Sequence, residues 1–112
     1  IQADVPPARG LTQALGLMSS KYVIVDDSHG EQFGSFDSFE AAWAELRRLA
    51  DIAWNVEPNL TPCSSWETCS REYEIVEFDV SSSTWLEVNR VPGVEIGSKG
   101  VIWAALAPRA EA

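Results

Sequence analysis

The chain is poor in the residues that most often carry chemistry. Its 112 residues include two cysteines, one histidine and one methionine. Zinc sites usually draw on four closely paired ligands. Two Cys and one His fall short of that, and Cys63 and Cys69 are separated by five residues, so no metal is expected. Basic residues are scarce too: eight Lys and Arg stand against seventeen Asp and Glu, a formal net charge of −9. Between Tyr22 and Trp103 there are fifteen acids and five bases, so the acidity belongs to the folded part and not to a tail. Nucleic-acid binding needs Lys and Arg to neutralise phosphates, and without a basic stripe it is not expected. No apolar run approaches the length of a membrane span, and no basic region followed by an apolar core opens the chain. The expectation is a cytoplasmic protein with no membrane partner. Gly93, Gly97 and Gly100 are explained by turns and bulges, because a phosphate loop needs a strand-to-helix setting that they lack. No cofactor motif is present.

What remains is ordinary for one folded domain, with 46% hydrophobic and 22% charged residues. The organising stretch runs from Ser35 to Trp54. Phe39, Ala42, Trp43, Leu46, Leu49, Ala50 and Ala53 recur at steps of three and four, which predicts a helix with one apolar stripe. Asp37, with Glu40 three residues on, reads as its capping box, and Phe36 as a staple against the first turn. Glu45, Arg47, Arg48 and Asp51 form the wet face, and the helix is expected to end near Trp54.

Residues 1–20 read as a peripheral arm. Val5-Pro6-Pro7 is stiff and extended, and Leu11, Ala14, Leu15 and Met18 have helical spacing interrupted by Gly16. The domain proper spans 21–105, and 106–112 is a tail. Tyr22–Val25 predicts a strand, Asp26–Gly30 a turn and Glu31–Phe36 a returning strand. Asn55–Ser70 is a long irregular connection holding both cysteines and Trp66. A loop of this length is usually tied down or functional. Arg71–Val80 is the central strand, where a change of apolar phase after Ile75 signals a bulge or cover on parts of both faces. Trp85–Val88 begins another strand, Val91–Val94 reads as a turn, and Val94–Ile96 and Val101–Trp103 flank a turn at Ser98–Gly100. The expected fold is α+β: an antiparallel sheet of about five strands, in the order β-β-α-β-β-β, with the helix on one face.

Few constellations carry chemistry. Cys63 and Cys69 either remain two free thiols or close a local disulfide, which would add roughly 2 kcal/mol by shortening the loop. They lack the C-x-x-C spacing of a redox-active pair. His29 sits beside Asp26, Asp27 and Ser28, the residue types of a hydrolytic triad. Triads are assembled from distant segments, however, so a solvated turn bonding its own backbone is expected. Glu72 with Glu74 share a strand face, and Glu77 with Asp79 and Asp26 with Asp27 are further acidic pairs. General acid–base work would need a desolvated pocket around one of them. No catalytic residues are assigned.

The pattern Tyr22-x-Val, Gly34-x-Phe36-x-Ser38-Phe39-Glu40-x-Ala42, Pro62-Cys63, Tyr73-x-Ile75-x-Glu77 and Lys99-Gly100-Val101-x-Trp103 resembles small uncharacterised bacterial proteins, a family that brings no activity with it. The unit of strand, turn, strand and capped helix loosely resembles HicB-type antitoxins, a resemblance carried by Gly34 to Leu49 alone. That resemblance implies an acidic protein that neutralises a small ribonuclease. The Cys-containing loop and the terminal strands depart from it, and no residue role transfers.

The expected function is therefore non-enzymatic binding of a basic protein partner, in which concentrated negative charge sets association rate and specificity. The competing reading is an enzyme or small-ligand binder with a pocket between the helix and the Cys-containing loop. Trp54, Trp66 and Trp85 would line that pocket, and Tyr73, Glu74 or Glu77 would point into it.

Overall fold

A β-branched run, Val23-Ile24-Val25, before a tight turn and a returning segment that carries Phe33 and Phe36 start the fold. A computed structural model describes residues 19–104, and the expected arm helix around Leu11–Met18 and the tail at 106–112 lie outside them. Strands β1 (Ser20–Asp26) and β2 (Glu31–Phe36) form an antiparallel hairpin. At its tip Gly30 has φ +66°, the left-handed conformation that a residue without a Cβ adopts freely. Helix α1 (Phe39–Ala50) follows, then β3 (Ser70–Asp79), β4 (Leu86–Gly97) and β5 (Gly100–Trp103). The five strands make one sheet in the order β2-β1-β3-β4-β5, and every neighbouring pair is antiparallel. This is the expected α+β architecture.

Helix α1 lies across one face of the sheet. Ala42, Trp43, Leu46 and Leu49 form its buried stripe and meet Ile24, Tyr73, Ile75, Val94 and Ile96. Burying each large apolar side chain contributes about 1.5–3 kcal/mol. Aromatic rings extend the contact: Trp43 lies 5.9 Å from Phe39 and 5.3 Å from Trp103, centroid to centroid. The helix starts later and stops earlier than its sequence suggests. Ser38, not Asp37, is the N-cap, in extended conformation with its hydroxyl accepting from the Ala41 N–H at 3.0 Å. Phe36 is still held in β2 opposite Tyr22, which leaves Asp37 one residue too early for the cap; its carboxylate pairs with Lys21 instead. At the other end Asp51 is the C-cap, and the chain turns before Trp54. Carbonyls there accept from Asn59, described below.

Strand β3 is covered on parts of both faces. Its register with β1 runs unbroken from Ser20 opposite Asp79 to Val25 opposite Glu74, so β3 itself does not slip. Tyr73 and Ile75 meet the helix, while Val76 joins Val23, Val25 and Phe78 in a second cluster on the far face. The irregularities lie in its pairing with β4, between Tyr73 and Glu74 and between Glu77 and Phe78. The first overturns an expectation, because Val91–Val94 is not a turn. Tyr73 opposes Val94 and Glu74 opposes Pro92, leaving Gly93 as an extra residue within one continuous strand. An added Cβ at Gly93 would stand 2.6 Å from Leu46 Cδ1 and 2.9 Å from the Tyr73 carbonyl oxygen, so glycine lets the strand approach the helix. Among the described residues, no helix is long and apolar enough to cross a membrane.

Candidate thiol–histidine site

One arginine sets the position of the long loop. Arg71 lies on the helix-facing side of β3 and is only 3% exposed. Its Nε donates to the Pro58 carbonyl at 3.1 Å and its Nη2 to the Leu60 carbonyl at 3.0 Å. Nη1 donates to Asp26 Oδ2 at 3.1 Å and lies 2.5 Å from Glu31 Oε1. The guanidinium also stands 4.9 Å from the centre of the Phe33 ring. Burial opposes its charge, but the hydrogen bond it donates to Asp26 and its pairing with Glu31 more than offset this and hold its pKa above the usual arginine value. Asn59 makes the second fastening. Its Nδ2 donates to the Leu49 and Ile52 carbonyls at 2.9 and 2.8 Å, fastening the loop to the end of α1 and the turn that follows it. Its Oδ1 accepts from the Tyr73 hydroxyl at 2.8 Å. Burial pushes the Tyr73 hydroxyl well above the usual tyrosine range.

Held at Pro58 through Leu60, the loop brings its cysteines over the β1–β2 turn. Cys63 and Cys69 form a disulfide. In the turn, His29 N–H donates to the Asp26 carbonyl at 3.1 Å, and the ring folds back so that Nδ1 lies 2.7 Å from Asp26 Oδ2. Asp26 is fully buried, and Oδ2 faces both His29 and Arg71 while Oδ1 has no hydrogen-bond partner. A carboxylate only accepts, so it fixes the hydrogen on Nδ1 and leaves Nε2 free. That Nε2 lies 3.7 Å from Cys63 Sγ. Thr61 Oγ1 is 3.4 Å from the same sulfur, and Ser65 Oγ is 3.6 Å from Cys69 Sγ. The result is a chain of contacts running Arg71, Asp26, His29, Cys63.

The arrangement can hold and move a proton. Arg71 is one cation between two carboxylates, Asp26 and Glu31, and His29 bridges Asp26 to the loop sulfur, with Nδ1 on the carboxylate and Nε2 toward Cys63 Sγ. His29, Cys63 and Cys69 are each partly exposed, so solvent and small reagents reach them. A cleft of about 260 Å³ opens beside Cys69, bordered by Thr68, Ser70, Ser98, Lys99 and Gly100.

The β1–β2 turn therefore differs from the solvated turn expected from sequence. Asp26 is withdrawn into the protein by Arg71, whereas Ser28 bonds Glu72 at 3.3 Å and Asp27 pairs with Arg90 at 2.5 Å. The residues suggested for a ligand surface fall in different places. Trp54 and Trp66 stack on each other, 5.6 Å apart at 27°, on the loop side. Tyr73 is buried against Asn59. Glu77 accepts from Ser20 at 2.9 Å, and Glu74 pairs with Arg90 at 2.7 Å on the opposite face. Trp85 packs on Phe78, 5.7 Å away. Tyr73 and Glu74 border a shallow cleft of about 230 Å³ along β3 and β4.

Arg71 and Asn59 were missed from sequence, although Arg71 left a signal. It shares the parity of Tyr73 and Ile75, and a cation on the core side of a strand needs a buried partner. Comparison with protein-family models, with curated proteins and with solved structures finds no match for this chain.

Proposed function

We propose that the protein works as a thiol–disulfide exchange site, cycling Cys63 and Cys69 between disulfide and dithiol with His29 as the proton carrier. The observation that carries this reading is the 3.7 Å approach of His29 Nε2 to Cys63 Sγ, with Asp26 holding the other ring nitrogen at 2.7 Å. The two sulfurs have different roles. Cys69 borders the cleft, so an incoming thiolate attacks Cys69 Sγ and the electron pair of the S–S bond leaves on Cys63 Sγ. His29 delivers a proton to that sulfur. A second external thiol then cleaves the mixed disulfide, releasing Cys69 as a thiol and the reagent as its own disulfide. Two thiols thus supply two electrons and two protons. In a reducing compartment such a bond is transient and serves catalysis or sensing. The test is to equilibrate the protein in graded thiol–disulfide buffers, trap it with acid and count modified cysteines by mass. The expected outcome is reversible interconversion within about −180 to −300 mV, with the fold retained. A bond that is reduced only when the protein unfolds would contradict the reading.

A second reading, binding of a basic protein segment, is supported by the outer edge of β4. β5 pairs only with Val94–Gly97, so among the described residues the edge from Leu86 to Pro92 has no strand beside it. Trp85, Leu86 and Val88 are about half exposed there. An extended basic segment would add as a strand, with the acidic surface steering its approach. The expected outcome is capture of a basic partner that weakens with added salt and is lost in Val88→Lys. Capture that ignores both salt and the substitution would contradict it.

A further inference from the structure

The same three side chains that serve exchange when oxidised form a metal-ligand set when reduced. We infer that the dithiol form binds one zinc ion through Cys63 Sγ, Cys69 Sγ and His29 Nε2, with the fourth position open to water or a small ligand. This rests on the proposal that the cysteines reach the dithiol state in the folded protein.

The three donor atoms lie within 4.8 Å of one another. A tetrahedral zinc with Zn–S near 2.3 Å and Zn–N of about 2.0–2.1 Å needs ligand atoms separated by about 3.6 Å. His29 Nε2 and Cys63 Sγ are already 3.7 Å apart. The surroundings fit the ion as well. Zinc-binding histidines characteristically donate their second ring N–H to a carboxylate, which sets the tautomer and strengthens the ligand. Asp26 occupies that position against Nδ1 at 2.7 Å, and buried Arg71 holds Asp26 from behind at 3.1 Å. Thr61 Oγ1 and Ser65 Oγ, 3.4 and 3.6 Å from the sulfurs, can donate hydrogen bonds to thiolates. Two thiolates balance the charge of the ion, and a set of two sulfurs and one imidazole selects zinc over the oxygen-seeking calcium and magnesium. All three ligands come from the segments that Arg71 ties together, since it bonds Asp26 next to the turn and the carbonyls of Pro58 and Leu60 ahead of Cys63.

Spacing alone hides this site. The cysteines are six positions apart and the histidine is 34 positions before the first of them, so no linear pattern signals a ligand set. The chemistry also links the two states. A disulfide bond uses the sulfur electron pairs and thiolate charges that zinc requires, so oxidation by a disulfide reagent expels the ion, and bound zinc shields the thiols from oxidation.

The experiment uses the whole chain, reduced with a phosphine and stripped of metal, then titrated with cobalt(II) as a spectroscopic probe and with zinc in competition. The expected result is one metal per chain, with thiolate-to-cobalt charge transfer and the intense bands of tetrahedral cobalt, displaced by zinc. His29→Gln and Cys69→Ser should abolish these bands. Asp26→Asn should keep the ligands and weaken zinc about 10–100-fold. Absence of thiolate bands in folded, reduced protein would overturn the inference, as would binding unchanged in His29→Gln. Circular dichroism on each variant shows that the sheet persists, and the cobalt spectrum of Asp26→Asn reports on the site with all three ligands in place. Thiol-buffer titration without metal separates the two proposals. Reversible reduction with no zinc binding removes only the metal site, whereas failure to reduce the folded protein removes both.

Discussion

Replacing Arg71 by Met should unfasten the Cys-containing loop from the hairpin and lower stability steeply. The side chain is buried, donates to two loop carbonyls and to Asp26, and faces Glu31. Methionine matches its length and apolar stem but supplies no donors. The loop carbonyls can recover water, because Pro58 and Leu60 are half-buried, whereas Asp26 is fully enclosed and would keep only His29 as a partner. Removing one member of a buried ion pair typically costs about 3–5 kcal/mol, because the remaining charge is left uncompensated. Set against a total of about 5–15 kcal/mol for a natural domain, that loss brings the protein close to unfolding at physiological temperature. The assay is urea denaturation of the oxidised protein followed by tryptophan fluorescence, since the stacked Trp54 and Trp66 lie on the side of the loop that Arg71 secures. Arg71→Lys keeps the charge but not the planar fork, and one ammonium cannot reach all these acceptors, so it should fall between parent and Met variant. In Asp26→Asn/Arg71→Met the stranded charge is gone, and the double variant should lose less than the two singles added together. A loss below about 1 kcal/mol in Arg71→Met, the range of an exposed ion pair, would refute the reasoning. So would strict additivity in the double variant.

Asn59→Ala removes the bonds that join the end of α1 to Tyr73; with the Tyr73 hydroxyl left buried and without this partner, the expected loss is about 1–3 kcal/mol by the same denaturation assay. Gly93→Ala places a methyl group against Leu46 and the Tyr73 carbonyl, and should cost about 1–3 kcal/mol, read as a lower urea midpoint with an unchanged slope. Tyr73 gives the protein an alkaline limit. Its hydroxyl stays protonated in the fold above the pH at which the unfolded chain ionises, so its contribution is complete below about pH 10 and is lost as pH rises beyond it. Tyr73→Phe should start lower at neutral pH for want of the Asn59 bond, yet show a flatter decline between about pH 10 and 12 in pH-dependent denaturation.

Much of the fold was legible because local and global signals agree. The apolar stripe from Phe39 to Leu49 could bury itself only on a sheet, and the β-branched runs supplied one. Errors arose where neighbouring residues compete or tertiary contact overrides a local sign. Asp37 and Ser38 are both good caps, and the pairing of Phe36 with Tyr22 decided between them. Pro92-Gly93 has the chemistry of a turn, but the room that Gly93 leaves for Leu46 makes it a bulge. The candidate site was less legible because it is assembled by a loop without regular structure. His29 and Cys63 meet only because Arg71 and Asn59 hold the intervening chain, and both act mainly through backbone carbonyls, which leave no trace in residue identity. The six residues picked for a ligand surface were conspicuous for size or charge, and several of them have structural partners instead.

The coupling of His29 to Cys63 is tested most directly by the alkylation rate of each reduced cysteine at neutral pH, resolved by peptide mass, in the parent and in His29→Gln. With Nε2 placed to take the thiol proton, Cys63 should react faster than Cys69 in the parent and slow by about 10²-fold in the variant, with Cys69 far less affected. Equal rates for Cys63 in the two proteins would contradict the account.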